Sequence, residues 1–265
     1  MNRHALAAAL SGSALVLGGC VLVVAKDSGT TSVIAGEQFV HSWSIELDDA
    51  DLASHPSLGV INPSGDVTVV RTDGAPRIRI DTYSRDRDRA RGMTITPRVM
   101  SDATLAIEPH WPGGIRTNES CDIAVYVPVR TGVSIEVGAG EVEVSGMAGQ
   151  LTVDTGAGDI EITSHDGTAT LTTNAGDIEA TGVAGATDAK TNAGDIEVTL
   201  WHGFAGTLRG ETRAGSIDLP GSGSRTTANG VQTATHRIGD PDVAHTAVFR
   251  TSAGDIDVRV LAPEG

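Results

Sequence analysis

Thr155-Gly-Ala-Gly-Asp-Ile-Glu-Ile162, Thr173-Asn-Ala-Gly-Asp-Ile-Glu-Ala180 and Thr191-Asn-Ala-Gly-Asp-Ile-Glu-Val198 are versions of one phrase, and looser copies stand around them. The looser ones are Val137-Gly-Ala-Gly-Glu-Val-Glu-Val144, Thr212-Arg-Ala-Gly-Ser-Ile-Asp-Leu219 and Thr251-Ser-Ala-Gly-Asp-Ile-Asp-Val258. Their aligned glycines, Gly140, Gly158, Gly176, Gly194, Gly215 and Gly254, are separated by 18, 18, 18, 21 and 39 residues. A fixed interval that recurs is the mark of stacked structural units.

Each unit holds two strand-like pieces, such as Leu151-Thr-Val-Asp-Thr155 and Asp159-Ile-Glu-Ile162, joined by an Ala-Gly turn and closed by a second glycine turn. Strict alternation places Leu151, Val153, Ile160 and Ile162 on one face and Thr152, Asp154, Asp159 and Glu161 on the other. One coil cannot bury its apolar face alone, whereas stacked copies share it, at roughly 1.5–3 kcal/mol for each Ile, Leu or Val removed from water. The recurring glycine marks a sharp turn or a tight approach to the neighbouring coil that leaves no room for a Cβ. Inward positions shrink through Ala169, Thr187 and Ala189, which predicts closely packed walls and no ligand-sized lumen.

The rest of the chain repeats this style less regularly. Asn62-Pro-Ser-Gly-Asp-Val-Thr-Val69 is a distant copy, followed by β-rich pieces at Pro76–Thr82, Met93–Thr96, Thr104–Ile107 and Ile123–Pro128. No amphipathic helix is expected after residue 36. The expected fold is all-β, a parallel β-solenoid of ~18-residue coils. Residues 1–25 read as an export or anchor segment, 26–36 as a tether, 37–130 as an irregular β part and 131–260 as the repeat solenoid. Pro220–Asp242, rich in Ser, Thr and Gly, reads as a mobile excursion.

Composition narrows the function classes. A net charge of −15 argues against nucleic acid and anionic lipid as main partners, which need clustered cations. In the densest basic stretch, Tyr83–Gly92, acids alternate with arginines, which reads as a solvated loop or hairpin tip, with partner binding as the lesser reading. The apolar run Ala5–Ala25 is an export signal, and within it Leu17-Gly-Gly-Cys20 is lipobox-like, which would make Cys20 a lipidated first residue. The run is also long enough for an uncleaved transmembrane anchor, and a plain cleaved signal is the third reading. All three place the body of the chain at the extracytoplasmic face of the cell membrane. Cys121, in a strand-like segment with no second cysteine available, reads as a small core residue.

Val125-Tyr-Val-Pro128, Gly132-Val-Ser-Ile-Glu-Val137, the Gly-[Asp/Glu]-[Ile/Val]-Glu-Val units and the closing Phe249–Val258 together resemble the DUF4097 family of adhesin-like bacterial proteins. The likeness covers roughly residues 60–260. It implies a β-solenoid at the cell envelope, with adhesion or envelope-stress sensing proposed for relatives and no enzymatic residues to carry over.

The outward Asp159, Asp177 and Asp195, with Glu161, Glu179 and Glu197, form two ladders with ~4.8 Å between coils. They are open to two readings: calcium neutralises them, or each Asp caps its own turn and each Glu is solvated. The A-G-D-I-E spacing departs from that of the calcium nonapeptide, so no metal and no cofactor are expected. A carbohydrate-active β-helix remains as an alternative reading, as does a calcium-stabilised spacer. The sequence carries no G-x-S-x-G, no H-E-x-x-H and no catalytic residues to name, so the chain is read as a non-enzyme. One irregularity, Leu200-Trp-His-Gly-Phe204, offers Trp201, His202 and Phe204 for partner contact, against a competing reading in which Trp201 and Phe204 cover the solenoid's edge. The function expected is a non-enzymatic adhesin-like, scaffolding or sensing module whose partner is an envelope protein or glycan.

Overall fold

The alternation in Ala148–Thr155 and Ile160–Thr163 is realised as expected: Leu151, Val153, Ile160 and Ile162 are buried, while Asp154, Asp159 and Glu161 are exposed. The computed structural model describes residues 24–34, 38–100, 104–221, 223–240 and 245–262. Each coil gives one strand to each of two sheets whose apolar faces share a single core. The first sheet stacks Val142–Ser145, Ile160–Thr163, Ile178–Val183 and Ile196–Leu200 in parallel, with Val142 opposite Ile160, Ile160 opposite Ile178 and Ile178 opposite Ile196. The second stacks Gly132–Val137, Ala148–Thr155, Asp166–Ala175 and Thr187–Ala193 in the same way.

The turn between the sheets accounts for the repeated phrase residue by residue. Through the corner the parallel ladder continues: the Gly158 and Gly176 amides donate to the Ala175 and Ala193 carbonyls at 2.9 and 3.0 Å, and Ile160 donates to the Asp177 carbonyl at 2.9 Å. One carbonyl and one amide per turn are served by side chains instead, since backbone groups withdrawn from water need partners. The Thr hydroxyl serves the carbonyl: Thr173 and Thr191 donate to the carbonyls of Gly158 and Gly176, each at 3.0 Å, and Thr251 to that of Gly194 at 3.1 Å. The Asp carboxylate serves the amide: Asp177 and Asp195 donate their N–H to Oδ1 of Asp159 and Asp177, both at 2.8 Å, and Asp255 to that of Asp195 at 2.7 Å. Each aspartate therefore caps the next coil's turn, where its own turn had been the sequence expectation. Between them stands the glycine: at Gly176 φ is +144° and a Cβ would lie 2.2 Å from the Gly158 carbonyl oxygen.

Where the intervals lengthen to 21 and 39 residues, at the end of the solenoid, the stacking order is swapped. Thr246–Ala253 inserts between Thr187–Ala193 and Gly206–Ala214, and Ile256–Val260 between Ile196–Leu200 and Ile217–Asp218. The coil last in sequence is thus next to last in space. The other end mirrors this, because Ser57–Asn62 lies between Thr104–Ile107 and Gly132–Val137, and Val67–Arg71 between Ser120–Val127 and Val142–Ser145. In this inserted coil Asn62 replaces the threonine, its amide donating to the carbonyls of Gly65 and Cys121 at 2.9 and 2.7 Å. Phe249 fits the core because its register neighbours are Ala189 and Gly210.

Four expectations are corrected. The solenoid is mixed at its margins, since Gln38–Glu46, Arg77–Ser84 and Ser120–Val127 pair antiparallel in the first sheet. The segment expected as a tether is largely strand, Val24–Ile34 pairing antiparallel with Gln38–Glu46. The described part of the Pro220–Asp242 excursion contains a hairpin, Ser224–Ala228 with Val231–Ile238, that extends the second sheet along Gly206–Ala214. Two short helices, Asp49–Ser54 and Arg87–Gly92, occur where none was expected. The second lies in the basic stretch, where Asp86 caps the helix and Arg89 is buried against Glu119, its Nη2 lying 2.7 Å from Oε2. That pair holds the Glu119 carboxyl below its usual range, chiefly through the Arg89 hydrogen bond. Cys121 is core, as expected, and burial pushes its thiol well up.

Two stability measurements test this architecture. Gly176→Ala is expected to lose at least ~2 kcal/mol in denaturant unfolding, combining a disfavoured backbone with an overlap against Gly158, while exposed Thr181→Ala stays within ~0.5 kcal/mol. His165 is buried with Nε2 donating to the Thr168 carbonyl at 3.2 Å, and desolvation holds its imidazole below the usual range. A folded-state pKa lowered in this way gives stability that is full above the unfolded value of ~6.5 and declines as pH falls through it toward the folded value. Wild type should accordingly lose stability relative to His165→Gln as pH drops from ~7 to ~5.

Candidate binding surface

With Thr, Gly and Asp of each phrase committed to the turns, the residues left facing solvent are the outward positions of the strands. On the first sheet the register lines up Glu143, Glu161, Glu179, Glu197, Asp257 and Asp218, one carboxylate per coil. Two residues farther along the same strands Ser145, Thr163, Thr181 and Thr199 form a hydroxyl column. The glutamates are exposed, and at one end Arg259 bonds Glu197 at 2.7 Å and Asp257 at 2.9 Å.

The turn aspartates form a second acidic line beside the first. At its other end the line continues through residues that sequence spacing did not connect: Glu141 donates its N–H to Asp66 at 2.9 Å, and Asp66 to Asp122 at 3.0 Å. Asp122 lies 56 residues from Asp66 in sequence, so the inserted coil hid this continuation. Desolvation, assisted by Asp66 and Asp81, raises the Asp122 carboxyl. Tyr83, bonded to Asp122, is pushed up to about 12 by desolvation and the surrounding aspartates. Glu141 is raised by partial desolvation and then by Asp66, Asp159, Glu161 and Glu143, which shows the acidic lines acting on one another. Among the described residues, no group of three or more His, Cys, Asp or Glu side chains is placed to hold a metal ion. An Oδ1 of each of Asp159, Asp177 and Asp195 is already engaged by a neighbouring amide.

The enlarged turn divides the aromatic residues named from sequence. Phe204 is 4% exposed and belongs to the core, so partner contact through it is corrected to edge packing. Trp201 is 46% exposed and lies against His202 with ring centroids 4.8 Å apart. The Trp201 amide is tied to the Val183 carbonyl at 2.9 Å, which anchors the main chain from which the indole projects. Cys20 lies outside the described residues, and among those described no helix is long and apolar enough to cross a membrane.

Comparison with known proteins places these features in a family. No curated protein matches the chain in sequence. Among solved structures, a "putative cell adhesion protein" from Clostridium sporogenes ATCC 15579 is 10% identical, covering 83% of this chain and 99% of its own at a TM-score of 0.40. A "putative adhesin" from Bacteroides fragilis NCTC 9343 is 15% identical over 83% of this chain and 96% of its own, at a TM-score of 0.39. A "putative lipid binding protein" from Parabacteroides distasonis ATCC 8503 is 12% identical over 86% of this chain and 98% of its own, at a TM-score of 0.25. The family model described as Toastrack DUF4097 matches residues 62–259, from the asparagine that replaces the first threonine to the end of the last coil, and the chain belongs to that family.

Proposed function

We propose that this chain is a non-enzymatic, adhesin-like surface module, exported and held at the outer face of the cell membrane by its N-terminal segment, that binds through the outer face of the first sheet. The observation that carries the reading is the in-register column Glu143, Glu161, Glu179, Glu197, Asp257 and Asp218, which folding does not require. Carboxylates repeated at ~4.8 Å repel by ~1 kcal/mol per pair even in water. A column kept at that cost suits a partner that brings positive charge at intervals, an envelope protein or a cationic glycan laid along the stack. The exposed Trp201 and His202 offer a further contact point, since an ordered indole supplies contact area at low entropic cost.

Support for export comes from the apolar run Ala5–Ala25 with its lipobox-like Cys20, and from the strongly acidic body that follows. Support for a non-catalytic role comes from the repeat itself, whose Thr and Asp are bound into the turns.

Replacing Glu143, Glu161 and Glu179, the column members with no arginine beside them, together by Gln separates binding from folding. The full chain carrying the three changes is expected to melt at or above the wild-type temperature, because repulsion is relieved. Its retention on isolated cell envelopes at low ionic strength should fall by about tenfold, with wild-type retention itself declining as salt is added. Unchanged retention at an unchanged melting temperature would remove the glutamate column from the binding account.

A further inference from the structure

The second sheet carries a feature of the opposite sign. On its outer face is a trough of about 310 Å³ lined by two rows of side chains. In one row, strand register places Lys190 opposite Arg250 and Arg250 opposite Glu211. The other row, two residues farther along the same strands, is Asn192, Ser252 and Arg213, and Val231 of the hairpin closes that side.

The cations of the trough differ in how they are compensated. Arg250 is held between acids, its Nη1 2.9 Å from Asp188 and its Nε 3.6 Å from Glu211. Arg213 donates at 3.1 Å to the Ser252 hydroxyl, a neutral partner. Lys190 is exposed and makes no ion pair among the described residues. The trough's own lining sets Lys190, Arg213 and Arg250 against Glu211, a net of 3 − 1 = +2 in a chain whose net charge is −15. A positive patch in a negative surface focuses the field and concentrates anions at one place. The volume lies at the lower limit of small-ligand sites, and the lining mixes two uncompensated cations with an amide, a hydroxyl and one apolar residue. That set matches a ring bearing both an acidic group and hydroxyls.

We propose that this trough binds one anionic saccharide unit, its carboxylate or phosphate held between Lys190 and Arg213 and its hydroxyls bonded by Asn192 and Ser252. The site is built by the swapped stacking order, which brings Arg250 and Ser252 between strands that precede them in sequence. It lies on the sheet that does not carry the glutamate column, so either site can fail without the other.

Amide chemical shifts of the isotope-labelled full chain, titrated with galacturonate, a hexose phosphate, neutral glucose and inorganic phosphate, test the proposal. Saturable shifts are expected at residues 190–192, 213 and 250–252 with a sugar anion, the tighter of the two identifying the acidic group as carboxylate or phosphate. Glucose should bind at least about tenfold more weakly, and Lys190→Gln with Arg213→Gln should weaken the sugar anion by about tenfold or more at an unchanged melting temperature. The triple glutamine variant of the opposite sheet should bind the sugar anion like wild type. Inorganic phosphate binding as tightly as either sugar anion would show an unselective anion contact and overturn the assignment. So would the lack of saturable shifts at these residues, or equal affinity in the double variant.

Discussion

The constraint on which the structure rests is the contact between successive glycines at the corner of each coil. A Cβ at Gly158, Gly194 or Gly254 would stand 2.0 Å from the carbonyl oxygen of the glycine in the adjoining coil, so the main chains meet there with no side chain between them. That approach lets one parallel ladder run round the corner from sheet to sheet. It also leaves a carbonyl and an amide per turn needing a partner, which is why threonine precedes the glycine and aspartate follows it. The phrase T-x-A-G-D is therefore a backbone solution, with chemistry confined to what stands outside it.

A stack built this way has two ends whose strands need covering, since unpaired edges invite pairing with other chains. The swapped coil order ties each end to the stack by gripping the next-to-last coil between later or earlier ones. Antiparallel strands extend one end of each sheet: Gln38–Glu46 and Arg77–Ser84 flank the first, and the hairpin of Ser224–Ala228 and Val231–Ile238 extends the second. The same swap creates the one place on the second sheet where Lys190, Arg250 and Glu211 stand side by side.

Much of the central solenoid was legible because its physics is local. Alternation marks Leu151 and Ile160 as buried and Glu161 as exposed, and the equal glycine intervals mark the coil length. What stayed hidden depends on which strand lies beside which. The interval of 39 residues gives no sign that Phe249 sits beside Ala189, nor that Asp122 extends the acidic line through Asp66. The Ser-Thr-Gly composition of the excursion suggested mobility, yet Val231–Ile238 pairs with Gly206–Ala214 and Ser224–Ala228 pairs with Val231–Ile238. Arg89 looked solvated among alternating charges, and only the fold brings Glu119 to it. In the enlarged turn, Phe204 and Trp201 are three positions apart and face opposite environments, a division that pattern alone does not resolve.

The binding proposed for this chain rests on its two outer faces, one acidic by repetition and the other locally basic by juxtaposition. Both depend on the turns holding the coils in register, and hydrogen exchange at the corner amides reads that directly. The amides of Asp177, Asp195 and Asp255 belong to exposed residues, so protection there comes from the aspartate of the adjoining coil. The account predicts that they exchange as slowly as the strand amides of Ile178 and Ile196. Exchange at the rate of free peptide, with the strands still protected, would contradict it.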